Sequence, residues 1–156
     1  MALQSSIALR IAAASGSGYR AALDAAPGTH LAKLILYSGS VPANADATVG
    51  SAVALVSFAN GATGLSLGDA ANIAGEAIMS KSSGETWQGT TIGAGGMPTF
   101  FRFTESSDVP TDGTGTYKRV QGTAGIGGAF DLTVSGAFEV GATNTMNSFD
   151  LTVSTY

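Results

Sequence analysis

The sequence predicts an all-β fold, an antiparallel β-sandwich of jelly-roll-like or immunoglobulin-like type with a short N-terminal helical segment. Three observations carry that expectation. The hexapeptide Phe-Asp-Leu-Thr-Val-Ser stands twice, at 130–135 and 149–154, and alternates apolar and polar residues without an error. Period two marks a half-buried strand, so Phe130, Leu132 and Val134 share one face, as do Phe149, Leu151 and Val153. The 22 glycines and the 12% share of charged residues suit turn-rich β architecture better than a helical bundle. Finally, short strand-like runs separated by turn signals recur from residue 31 to the end, about seven in all.

Taken in order, residues 5–26 are the only part with helical character, and Ser15-Gly16-Ser17-Gly18 breaks them into two short elements. Ser17 is placed to cap a helix over 19–26, with Tyr19, Ala22 and Leu23 on its buried face and Pro27-Gly28 as its stop. Strands are expected over 31–37, 52–59, 73–80, 97–105, 116–124, 129–135 and 145–155. Asn60-Gly61 tolerates the positive φ of a tight turn, which predicts a hairpin between 52–59 and the run 63–67. In the aromatic strand, Phe101 and Phe103 share one face while Phe100 lies opposite beside Arg102, and the phenylalanines are read as core. The glycine clusters at 93–96 and 125–128 separate β runs rather than domains. The chain is therefore one globular unit, an arm over 1–28 and a β-sandwich over 29–156. Residues 81–96 are long for a loop in a compact domain, which marks them for contact with something outside the fold.

At 156 residues the chain buries roughly 68–70% of its unfolded surface in one core. Seven Lys and Arg against eleven Asp and Glu give a net charge of −4, with no basic stripe to track phosphates, so no direct nucleic-acid contact is expected. Without cysteine there are no disulfides and no thiolate metal sites. The apolar stretch 7–14 is interrupted by Arg10, is too short to span a bilayer and lacks a basic n-region, so the expectation is a soluble, unexported chain. Low charge with a mean hydropathy of +0.25 implies that part of the surface is covered in an assembly.

Catalytic patterns are missing from the sequence. His30 is the only histidine, and no nucleophile elbow, phosphate loop or zinc-protease helix motif occurs. No enzyme activity, metal or cofactor is expected. Glu105, Asp108 and Asp112 before Gly113 invite a calcium reading, but their spacing fits no EF-hand and a solvated turn is preferred. Trp87 divides evenly between a loop anchor and an intersubunit contact.

Four segments in fixed order carry a family resemblance. Residues 34–43 run as a strand into a Ser-Gly-x-x-Pro turn, and 100–103 form an aromatic-Phe-Arg strand. Residues 119–125 contain a Gln-Gly-Thr-x-Gly turn, and 148–153 close with Ser-Phe-x-Leu-Thr. In this order they resemble the small virion structural proteins of tailed bacteriophages, the capsid decoration or cement proteins. Two features depart from that pattern: the helix break at 15–18 and the length of 81–96. The resemblance implies a protein made in the host cytoplasm and placed on the capsid exterior. There it would bind the major capsid protein and stabilise the head as a small homo-oligomer, with no catalytic residues, no cofactor and no membrane contact. Under that reading the interface residues are Ile7, Leu9, Arg10, Trp87, Ile92 and Tyr156, and residues 1–15 are dispensable for the β core. The alternative is a carbohydrate- or host-surface-binding β-sandwich module of a tail or fibre, which needs exposed aromatics beside the acidic loop at 105–112.

Overall fold

A computed structural model describes residues 3–12, 14, 33–68, 71–73, 76–105 and 107–154. Eleven strands and one short helix are formed: β1 (Gln4–Ser5), α1 (Ile7–Ala12), β2 (Lys33–Ser38), β3 (Val53–Phe58), β4 (Ala71–Ile73), β5 (Glu76–Ser80), β6 (Trp87–Thr90), β7 (Phe100–Thr104), β8 (Arg119–Ile126), β9 (Leu132–Val134), β10 (Thr143–Met146) and β11 (Asp150–Ser154). The main sheet runs β1-β8-β7-β2-β3, with β9 alongside the far end of β8. A second sheet pairs β10 with β6, and a third runs β11-β5-β4. Every pairing is antiparallel except β8 with β9. The expected all-β, sandwich-like fold with a short N-terminal helix is what forms.

One face of the main sheet carries the apolar core. Register sets Leu34 opposite Phe103 and Leu36 opposite Phe101, so these four side chains point the same way. Leu67, Met79, Trp87, Phe149 and Leu151 meet them from the other layers. Phe149 is the hub, with its ring centroid 5.7 Å from Trp87, 5.8 Å from Phe101 and 5.8 Å from Phe103. Such aromatic pairs add about 0.5–1.5 kcal/mol each beyond burial. Gly89 permits the close seating of β6 on β3, since a Cβ there would stand 2.5 Å from the Ser57 carbonyl oxygen and 2.7 Å from Val56 Cγ2.

The opposite face is also covered, which a half-buried strand pattern does not lead one to expect. Ile35, Tyr37, Val49 and Phe100 form a small second core, with Tyr37 stacked on Phe100 at 4.8 Å. Beside it lie two wholly buried arginines, Arg102 and Arg119. Arg102 donates from Nε to Gln121 Oε1 at 3.0 Å and from Nη2 to the Ala47 carbonyl at 2.6 Å. Arg119 pairs with buried Asp108 through Nε at 2.8 Å and Nη2 at 2.5 Å. Its remaining N–H groups reach the carbonyls of Ala45, Asp46, Val109 and Asp112. The loops over 41–52 and 105–118 are thereby tied down across this face. Burial first, then the charge of Arg119, lowers the Arg102 pKa to about 10. Burial likewise pushes the Tyr37 hydroxyl up to about 12.

Several expectations change. The run 145–155 is two strands, not one, because residues 147–149 carry the chain from β10 to β11. The run 73–80 likewise divides into β4 and β5. Asn60-Gly61 does turn the chain, with Gly61 at φ 55° and Thr63 N donating to the Asn60 carbonyl. No hairpin follows, since Ala59 bridges to Gln88 and Leu67 to Lys81. The long segment 81–96 contains β6 and is part of the fold. Phe130, expected inside with Leu132 and Val134, remains 43% exposed. Pairing of β9 starts only at Leu132, and the Phe130 ring rests outside on Gly125, where a Cβ would stand 2.6 Å from it. The expected helix over 19–26 with its Ser17 cap and Pro27-Gly28 stop lies outside the described residues.

Nor is the N-terminal segment dispensable to the core. Leu9 is wholly buried in the main core. Gln4 and Ser5 pair with Gln121 and Val120, and Ser6 Oγ accepts from both Leu9 N, capping α1, and Arg119 N.

The two hexapeptides give a direct comparison. Phe149→Ala is expected to cost about 3–5 kcal/mol, the range for emptying a buried aromatic site, and Phe130→Ala about 1 kcal/mol or less, read as urea midpoints at constant m. Asp108→Asn leaves Arg119 buried without its counter-charge and should cost about 3–5 kcal/mol in the same titration.

Candidate docking face

The strand directions give the molecule two unlike ends. At one end β2 finishes, β3 begins with Val53 opposite Ser38, and β7 begins with Phe100 opposite Tyr37. Thr123 of β8 lies opposite Phe100, so Met97 and Ile126, each three residues beyond that pair, lie at this same end. Ile92 joins them because its N–H donates to the Leu55 carbonyl, and Val140 because the next residue, Gly141, donates to Thr91. Of the nine large apolar residues exposed among the described residues, six gather here: Val53, Ile92, Met97, Ile126, Phe130 and Val140. Ile92 is the most open at 73% and Val140 follows at 63%. Monomeric surfaces rarely group exposed apolar side chains in this way.

Charge is distributed in the opposite sense. Lys33 opens β2 opposite Thr104, Lys118 precedes β8, and Arg10 lies on α1, which packs by the start of β8. Lys81 sits over the Trp87 ring, 5.9 Å from its centroid, where β6 begins. All four belong to the far end. Among the described residues the apolar end has no cation, and its exposed charges are Glu139 and Asp131. Asp131 is engaged, accepting from Thr123 N at 2.7 Å and Thr123 Oγ1 at 2.8 Å.

The residues expected at an interface fall in three places. Ile92 stands in the apolar end. Ile7 and Arg10 are exposed on α1 at the other end. Leu9 and Trp87 are core, with no side-chain surface to offer a partner. Tyr156, the sixth, lies outside the described residues, as does the sole histidine, His30. The other five apolar-end residues were not marked by the sequence reading. Their common signal is position, each being an apolar residue beside a turn at the same end of a strand.

Trp87 is an internal anchor. Its Nε1 donates to Glu85 Oε2 at 2.6 Å, and the same carboxylate accepts from Ser66 N at 2.9 Å and Ser66 Oγ at 2.5 Å. Lys81 Nζ donates to the Glu85 carbonyl. Burial alone would raise the Glu85 pKa, but the Ser66 and Trp87 hydrogen bonds, with the charge of Lys81, outweigh it and hold it below 4.5.

The acidic loop is likewise turned inward on itself. Asp108 is spent on Arg119, Glu105 Oε1 accepts from Lys118 N at 3.0 Å, and Asp112 Oδ1 accepts from Thr114 N and Oγ1. Among the described residues no group of three His, Cys, Asp or Glu side chains could hold a metal ion, so the calcium reading has no site there. The aromatic platform required by a glycan-binding module is not assembled either. Phe100, Phe101, Phe103 and Trp87 are all buried, and Phe130 is the one large aromatic exposed among the described residues.

Comparison with known proteins returns no matching family model, no matching curated protein and no matching solved structure.

Because the Glu85 carboxyl is depressed in the folded chain, its contribution to stability is present above its unfolded pKa and is lost as pH falls below 4.5. Glu85→Gln should therefore flatten the fall of the urea midpoint between about pH 5 and pH 3, while lowering the midpoint at pH 7.

Proposed function

We propose that this chain is a non-enzymatic decoration protein of a tailed-bacteriophage capsid, docking its apolar end on the lattice of major capsid protein and stabilising the head. The observation that carries the reading is the gathering of Val53, Ile92, Met97, Ile126, Phe130 and Val140 at one end that holds no cation among the described residues. Interface cores are apolar and poor in charge, and this end has that composition among the described residues. The four ordered segments that resemble virion decoration proteins supply the identity of the partner. Full burial of one such side chain is worth about 1.5–3 kcal/mol, and these six are already part-buried, so one copy gains only several kcal/mol before the cost of association. Repetition on a symmetric shell, with decoration copies touching one another as a small homo-oligomer, makes that sufficient through effective concentration.

The test uses the full chain and heads assembled from its own major capsid protein. The double variant Ile92→Asp, Val140→Asp places two carboxylates in the docking face at its most exposed positions, so the melting curve should match the parent's. Occupancy on sedimented heads should fall at least tenfold. Parent-like occupancy of the double variant removes this face from the docking role, and failure of the parent chain to bind heads at all removes the decoration reading.

A further inference from the structure

The main sheet continues past β3. Bridges from Val56 to Thr91 and from Ala59 to Gln88 attach β6, and β6 carries β10. The strands therefore form a band, β9-β8-β7-β2-β3-β6-β10, curled round the aromatic core. Its two ends do not meet. Among the described residues β9 pairs as a strand only with β8 and β10 only with β6. A cleft of about 370 Å³ separates them, walled by 133–138 on one side and 144–148 on the other, with Phe58 between.

Three properties of the cleft define what fits it. Each wall includes a strand edge, β9 at 133–134 and β10 at 144–146, and an edge presents backbone N–H and C=O groups at alternate residues that require partners. Half-buried Val134 and Met146, one on each lip, already pack against the main core, so the core is covered but not sealed along this line. No ionisable side chain lines the cleft, which offers nothing to a phosphate or a carboxylate. The walls present no exposed ring on which a sugar could stack, since Phe58 and Phe138 are buried.

We propose that the cleft between β9 and β10 accepts one extended strand from another polypeptide, an uncharged segment with apolar side chains at alternate positions. Lying about 4.7–4.9 Å from each wall, that strand pairs with both edges and closes the band into a barrel. Its inward side chains cover Val134 and Met146. Backbone pairing supplies the affinity and the inward alternation supplies the selection, as in strand addition generally. The site is distinct from the apolar end and does not depend on the decoration reading.

The experiment is amide hydrogen exchange by NMR on the full chain with the capped heptapeptide acetyl-Ser-Val-Thr-Leu-Thr-Val-Ser-amide as probe. Saturating peptide should slow exchange at least tenfold on the cleft-facing amides of both 133–136 and 144–147. An analogue N-methylated at alternate residues keeps the side chains but cannot pair, and should give no protection. Val134→Asp should weaken binding at least tenfold. Protection on one strand only, equal protection by the N-methylated analogue, or core-level protection of both edges in the free chain would each overturn the proposal.

Discussion

Two guanidinium groups buried on the second face of the main sheet impose the constraint on which the rest of the molecule depends. Arg102 and Arg119 sit on neighbouring central strands, two steps apart in register and so on the same face, and neither reaches solvent. Ten N–H donors removed from water demand acceptors, and most are carbonyls of irregular chain rather than side chains. A single carboxylate, Asp108, answers the two charges, and Arg102 Nη1 has no acceptor among the described residues. Desolvation of this order is seldom repaid as net stability; its better-attested return is a defined arrangement of the groups that satisfy it. Here those groups are the loops over 41–52 and 105–118, so two long connections with little regular structure acquire a fixed course over the sheet.

That arrangement also explains the polarity of the molecule. The loops gathered by Arg119 cross the second face towards the end where β7 finishes and β8 begins, and they carry Asp46, Glu105, Asp108, Asp112 and Lys118. The other end is rich in glycine, alanine and isolated large apolar residues at its turns. Among the described residues those side chains stay exposed and have no cation beside them. A surface of this kind is poorly suited to bind a charged small molecule and well suited to lie against another protein.

Much of the β architecture was legible because alternation is an unambiguous signal where one face is wet, as in Phe149 and Leu151, both core residues. It was less legible where a strand is buried on both sides. Phe100-Phe101-Arg102-Phe103 has apolar residues on both faces, and that doubling was the available sign that the arginine between them is enclosed. Segment lengths misled in the other direction: the polar stretch around Trp87 has no apolar period, yet forms β6 because Gly89 lets it approach β3 closely. Phe130 and Phe149 occupy identical hexapeptides with opposite fates. What separates them is the partner strand, which begins one step later for Phe130 and offers Gly125 as an external shelf. The apolar end could not be read from the sequence, since its members become neighbours only through the order in which the strands are laid side by side.

Ser6 carries a consequence for synthesis. Its hydroxyl serves both α1 and the first amide of β8, 113 positions away, and Gln4 and Ser5 pair with that same strand. During translation the first residues leave the ribosome long before their docking site exists, and Leu9 must wait in water until Val120 has been made. Contacts of such high order slow folding and prolong the exposure of sticky intermediates. Early capture by a chaperone would shorten that exposure, and chains ending before residue 119 could not cover Leu9.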